Sequence, residues 1–140
     1  MGEVIKKTDP RTIEQVSLRK LVIYCNPDSD MLEAAVPINI VLAKQLLEMK
    51  PDRRAMRMER VVQKILLELP DNLVIKDFDV MFNPTYEIDV LKIFASLRRS
   101  KMFSLIWPGT LTDGKLIYAE ESYLDYKVYD INYYDVVCVI

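Results

Sequence analysis

Histidine is absent from all 140 residues, which removes Ser-His-Asp and Cys-His nucleophilic arrangements and every histidine-containing zinc site. Any chemistry must therefore use carboxylates, lysine, tyrosine or a bound metal. Glycine occurs three times, and none lies between Gly2 and Gly109. Most of the chain thus lacks the residue that lets backbone amides wrap closely around a phosphate. Hydrophobic residues make up 51% of the chain, yet no apolar run approaches the roughly 18 residues of a membrane span. The opening MGEVIKKTDP has no apolar signal core, so a cytoplasmic protein without membrane contact is expected. Charge of one sign is also scarce: 19 basic against 21 acidic side chains leave a formal charge of −2. Only local stripes could then attract nucleic acid. The two cysteines, Cys25 and Cys138, have no CxxC spacing and sit in apolar, strand-like runs. Buried reduced thiols are the expected state, with a disulfide or a nucleophile as alternatives.

What is present reads as one α/β domain, long enough to bury about two thirds of its unfolded surface. Residues 8 to 18 suit a short helix, with Asp9 or Thr12 as cap and Pro10 in its first turn. KLVIYC at residues 20–25 predicts the first strand, stopped by Asn26-Pro27-Asp28. Asp28 or Ser29 would cap a helix of no more than two turns, and residues 36–40 return to extended backbone. Val41, Leu42, Leu46 and Met49 then recur at helical spacing. Asp52 can cap a longer helix whose buried face is Met58, Val61, Val62, Ile65, Leu66 and Leu69. After a strand at residues 73–75, Asn83-Pro84 reads as a helix start, followed by an apolar face from Ile88 to Leu97. MFSLIW at 102–107, residues 115–119, residues 123–129 and the apolar end at 135–140 read as strands. An apolar strand at the end of the sequence must be covered by the sheet or by a partner chain. Strands separated by helical crossovers predict a mostly parallel sheet flanked by helices, with a strand-rich C-terminal segment.

Three groups could carry function. Asp77 and Asp79 follow the 73–75 strand; two residues apart on extended backbone, they would point to the same side, in the crevice where α/β sheets gather ligands. They could hold a nucleotide or metal, perform acid–base chemistry, or simply end the strand and hydrogen-bond the following loop. Arg53, Arg57, Arg60 and Lys64 form a stripe at i, i+4, i+7 and i+11 that could bind phosphates or an acidic partner, or be a solvated helix face. Arg98, Arg99 and Lys101 would complement the dipole of the helix ending near Leu97, or an arginine could reach a neighbouring subunit. Six of the eight tyrosines lie from Tyr118 onward, either as amphipathic packing or as a protein-binding surface.

The run through INIVLAKQLLEM, LVIKDFDVMFNP and WPGTLTDGKLIYAEESYLDY resembles the BrxF family, small P-loop-containing proteins of type 3 BREX bacteriophage-exclusion systems. The likeness lies in Ile38-Asn39-Ile40 with its leucine-rich helix, Phe82-Asn83-Pro84, the helix ending at residues 96–100, and Trp107-Pro108-Gly109 with Tyr118-Ala119-Glu120, about two thirds of the chain. It implies a P-loop NTPase-like core and, as partners, other proteins of such a defence system: a DNA methyltransferase, a PglZ-like phosphatase-fold protein and a large ATPase. The chain departs from the family at the phosphate loop. Where GxxxxGK[ST] should follow the first strand, it reads Cys25-Asn-Pro-Asp-Ser-Asp-Met31, with no lysine or threonine between Lys20 and Lys44. Asp28 and Asp30 would repel a triphosphate, and Pro27 removes an N–H donor. In an intact ATPase of this class a carboxylate after an apolar strand holds the Mg²⁺ water shell; here Lys76 interrupts the run before Asp77. The expectation is a degenerate P-loop and a non-catalytic subunit acting through protein contacts without a cofactor. A regulator or ATPase using Mg-ATP at an unusual site, or a DNA-contacting accessory protein, is the alternative. A homo-oligomer is compatible with any of these.

Overall fold

The computed structural model describes residues 2–7, 13–15 and 20–140. In chain order its elements are β1 (Glu3–Ile5), β2 (Leu21–Tyr24), α1 (Ser29–Ala34), β3 (Val36–Pro37), α2 (Asn39–Leu47), α3 (Pro51–Leu67) and β4 (Leu73–Lys76). A 3₁₀ turn (Asp79–Phe82), α4 (Val90–Leu97), β5 (Phe103–Ile106), β6 (Thr110–Thr112), β7 (Lys115–Tyr118), β8 (Lys127–Asp130), a second 3₁₀ turn (Ile131–Tyr133) and β9 (Val136–Val139) follow. Six strands pair in parallel in the order β1-β9-β2-β5-β4-β3, and β6, β7 and β8 form a separate antiparallel sheet. The expected α/β architecture, a parallel sheet flanked by helices, is what forms.

Register explains why the central strands are apolar. Ile75, Leu105, Ile23 and Cys138 lie side by side across β4, β5, β2 and β9, and all four are buried. Against this row pack Leu42 and Leu46 of α2, Met58, Val62 and Leu66 of α3, and Leu91 and Phe94 of α4. The α3 side chains are those that the 3.6-residue period marks as buried. Each such aliphatic side chain contributes about 1.5–3 kcal/mol relative to exposure. β9 is enclosed between β1 and β2, so the apolar end of the sequence is covered by its own sheet.

The antiparallel sheet is joined to this core by aromatic contacts. Phe82 stacks on Tyr118 at 3.8 Å, Trp107 meets Phe82 and Tyr129 edge-on, and the Trp107 indole N–H donates to the Ile117 carbonyl at 3.0 Å. A Cβ on Gly109 would lie 1.9 Å from that carbonyl oxygen, which is why only glycine fits after Pro108. Asp113 and Gly114 both have positive φ, the two-residue hairpin that brings β7 back along β6.

Several expectations are corrected. The strand at Leu21–Tyr24 is second, because Glu3–Ile5 already pairs with β9. Of the helix expected over residues 8 to 18, Ile13, Glu14 and Gln15 are helical; the rest, with Asp9 and Thr12, lies outside the described residues. Extended backbone at 36–40 stops after Pro37, and Asn39 already belongs to α2. Lys50, not Asp52, precedes α3, with Pro51 in its first turn. Asn83-Pro84 does not begin a helix. The Asn83 side chain accepts from the Thr85 N–H and hydroxyl, an Asx turn that competes with helix, and α4 starts at Val90 under Asp89, which accepts from the Lys92 N–H at 2.9 Å. Residues 123–126 form turns, so only Lys127–Asp130 of the expected 123–129 strand is extended. Arg98 is only 8% exposed rather than a solvated cation, and burial lowers its pKa. Lys101 serves the 69–71 loop, donating to the Leu69 carbonyl and pairing with Asp71 at 3.1 Å.

Candidate functional site

The loops leaving the carboxyl ends of the parallel strands are where α/β sheets gather ligands, and both expected sites lie there. At the end of β4 the backbone is not extended: Asp77 has φ 53° and Asp79 opens a 3₁₀ turn. The shared direction expected of Asp77 and Asp79 rested on a strand period that has ended by then. Asp77 is exposed. Asp79 is half-buried and accepts from the Tyr118 hydroxyl at 3.0 Å and the Asn39 side-chain amide at 3.4 Å. Asn39 returns the favour to the same turn, accepting from the Val80 N–H at 3.0 Å. Burial, then the bond to Asp79, pushes the Tyr118 hydroxyl well above the ordinary phenol range. The network ties α2, the 3₁₀ turn and β7 together and leaves both Asp79 oxygens engaged. Lys76 donates to the Leu32 carbonyl, fastening α1 to β4. Among the described residues no group of three or more Asp, Glu or Cys side chains converges to hold a metal ion.

The loop after β2 is equally committed. Asp28 accepts from the Met31 N–H at 2.9 Å as the cap of α1, a bond that lowers its pKa, and pairs with Lys7 at 3.6 Å. Lys7 also donates to the Asn26 carbonyl at 3.2 Å. The helix that follows has six residues, too few to present a phosphate with much of a dipole. Cys25, immediately after β2, and Cys138, on the neighbouring strand β9, are free thiols. Interaction with the Cys138 thiol, then burial, raises the Cys25 pKa and favours its protonated form, and its S–H donates to the Ile23 carbonyl at 3.8 Å.

Arg53, Arg57, Arg60 and Lys64 are all exposed on α3. Arg57, Arg60 and Lys64 line a groove of about 340 Å³ between α2 and α3, with Gln45, Glu48, Met49 and Val61. None of the four makes an ion pair or side-chain hydrogen bond among the described residues. Arg54, beside them, does not share that freedom: it donates to the Leu46 carbonyl at 2.7 Å and the Met49 carbonyl at 3.3 Å, closing the end of α2.

A cavity of about 660 Å³ lies at the opposite, amino end of the sheet, lined by Lys92, Ser96, Arg99, Tyr134 and Asp135 among others. The Tyr134 hydroxyl donates to Asp89 at 2.6 Å, and burial raises its pKa, so it is a poor proton donor at neutral pH. Asp135 is paired with Lys20 at 3.6 Å. Of the late tyrosines, Tyr118 and Tyr129 are buried in packing contacts, whereas Tyr123 and Tyr133 are exposed.

Sequence reading missed Asn39, Tyr118 and Arg54. Asn39 carried a signal, a lone amide in the apolar run INIVLA, but its partners at Asp79 and Val80 are about forty residues away. The chemistry left unspent is therefore on the surface, in the α3 cations and in exposed apolar side chains, rather than in the crevice. No helix among the described residues is long and apolar enough to cross a membrane. Comparison of the chain with protein-family models, curated proteins and solved structures gave no match.

Proposed function

We propose that this protein is a non-catalytic subunit with a degenerate P-loop-like core that works by binding other proteins of a BREX-like antiphage system. The observation that carries the reading is how the polar groups are used: Asp28 and Asp79 are occupied by capping and hydrogen bonding, while Arg53, Arg57, Arg60 and Lys64 stand exposed and unpaired. Strand order adds support for the core. β2, which bears the would-be phosphate loop, lies between β9 and β5, and β5 separates it from the acidic end of β4, an arrangement shared with a large class of P-loop ATPases. The family resemblance supplies the partner classes, a methyltransferase, a phosphatase-fold protein and a large ATPase.

Two experiments test the reading. Mg-ATP in a thermal-shift titration should leave the melting temperature unchanged; clear stabilisation that disappears in Asp77→Ala would return the crevice to nucleotide binding. Expression with the adjacent genes should recover the chain in a complex, and recovery of it alone would count against a subunit.

A further inference from the structure

We propose that the acidic loop at residues 120–125 of one copy docks into the cationic groove between α2 and α3 of a second copy, a head-to-tail contact. The proposal is independent of the partner proteins inferred above. Its first half is the loop between β7 and β8. Glu120, Glu121 and Asp125 supply three carboxylates with no cation among them. Between them stand Tyr123, 59% exposed, and Leu124, 91% exposed. The turns that present them are held by the Tyr123 N–H donating to the Glu120 carbonyl at 2.9 Å and the Tyr126 N–H donating to the Tyr123 carbonyl at 3.2 Å. A structured turn that holds a leucine almost wholly in water next to three acids is an anchor without a pocket on its own surface.

The second half is the groove, where Met49 and Val61 offer apolar surface and Arg57, Arg60 and Lys64 offer unpaired charge. Its volume accommodates a leucine side chain, with the arginines placed to meet flanking carboxylates in charge-assisted bonds. This mixture favours a peptide over nucleic acid. Glu48 in the groove would face a phosphate backbone unfavourably, and Met49 and Val61 would gain nothing from it. Because the two surfaces differ, the contact is heterologous and can propagate or close into a ring.

The test uses the full chain in sedimentation velocity over a range of concentrations at low and high salt. The wild type should self-associate at low salt and dissociate as salt rises, since the flanking contacts are ionic. Glu120→Lys with Glu121→Lys should weaken association at least tenfold, as should Arg57→Glu with Arg60→Glu. An equimolar mixture of these two double variants should associate again, because each then offers the other complementary charges. A wild type that stays monomeric at low salt overturns the proposal, as does failure of the mixture to associate when both variants keep the wild-type melting temperature. If a variant does not fold, the salt dependence of the wild type decides. Duplex DNA bound by the monomer and released by Arg57→Glu with Arg60→Glu would assign the groove to nucleic acid instead.

Discussion

Asp77 and Asp79, so alike in the sequence, should respond unequally when changed. Asp79→Ala removes the acceptor of the Tyr118 hydroxyl at 3.0 Å and of the longer Asn39 contact at 3.4 Å. Hydrogen bonds to a charged group contribute about 1.5–3 kcal/mol each when well formed. The second is long, and Asp79 is half-buried, so water can replace part of the loss. A cost of about 2 kcal/mol is expected, read as a lower urea midpoint at unchanged slope. Tyr118→Phe keeps the stack on Phe82 and loses only the hydroxyl, costing about 1 kcal/mol. Because the two groups meet, the double variant should cost less than the sum, with a coupling of at least about 0.5 kcal/mol. Asp77 makes no such bond, but its φ of 53° penalises a β-carbon. Asp77 already carries a β-carbon in that backbone, so Asp77→Ala loses only aspartate's better tolerance of the left-handed region and should cost no more than about 0.5 kcal/mol, and Asp77→Gly should also remain within about 0.5 kcal/mol of wild type. A coupling near zero between Asp79 and Tyr118, or an Asp77→Gly as damaging as Asp79→Ala, would refute the assignment of Asp79 as the structural acid.

Two further outcomes follow from packing and titration. Gly109→Ala places a methyl 1.9 Å from the Ile117 carbonyl oxygen, backbone that cannot yield without breaking the Trp107 bond; the cost should reach the upper end of the roughly 1–3 kcal/mol seen for overpacking, measured by urea unfolding. Alkaline pH should unfold the protein early: burial raises Tyr24, Tyr118, Tyr134 and Tyr129, the last to about 12, so these phenols bind protons more tightly folded than unfolded. Their stabilisation is complete below pH 10 and lost above it; Tyr129 alone contributes a slope of at most about 1.4 kcal/mol per pH unit between pH 10 and about 12. Tyr129→Phe should flatten that decline in urea midpoints against pH, and an unchanged decline would refute the argument.

The legible parts of the fold were those in which a single local pattern and the tertiary environment agree. β2, β4, β5 and β9 are mostly apolar runs with no more than one polar residue each, as strands inside a parallel sheet are, and α3 repeats its apolar residues over seventeen positions. β1 is three residues long, too short for its alternation to register, and exists because β9 offers it an edge. β6 could have been found: Asp113-Gly114 between Thr112 and Lys115 is a hairpin signal, but the strand before it has one apolar residue. Asn83-Pro84 supplied a good cap residue and a first-turn proline and still formed a turn, because the Asn83 oxygen found Thr85 two residues on. Cap chemistry alone does not decide between those outcomes.

The site was less legible for a more basic reason. Reading Asp77 and Asp79 as a pair required the strand to continue past Lys76, and nothing local reveals that Asp77 turns left-handed. That turn separates them: it leaves Asp77 in water and swings the next residues into a 3₁₀ turn where Asp79 meets Tyr118 and Asn39. The stripe on α3 survived translation into structure because a helix preserves its own period, so Arg57, Arg60 and Lys64 share the side that spacing assigns them. What no spacing could supply is the fate of each charge. Among acids of one composition, Asp28 and Asp79 became scaffold, while Glu120 and Glu121 stayed exposed beside Leu124.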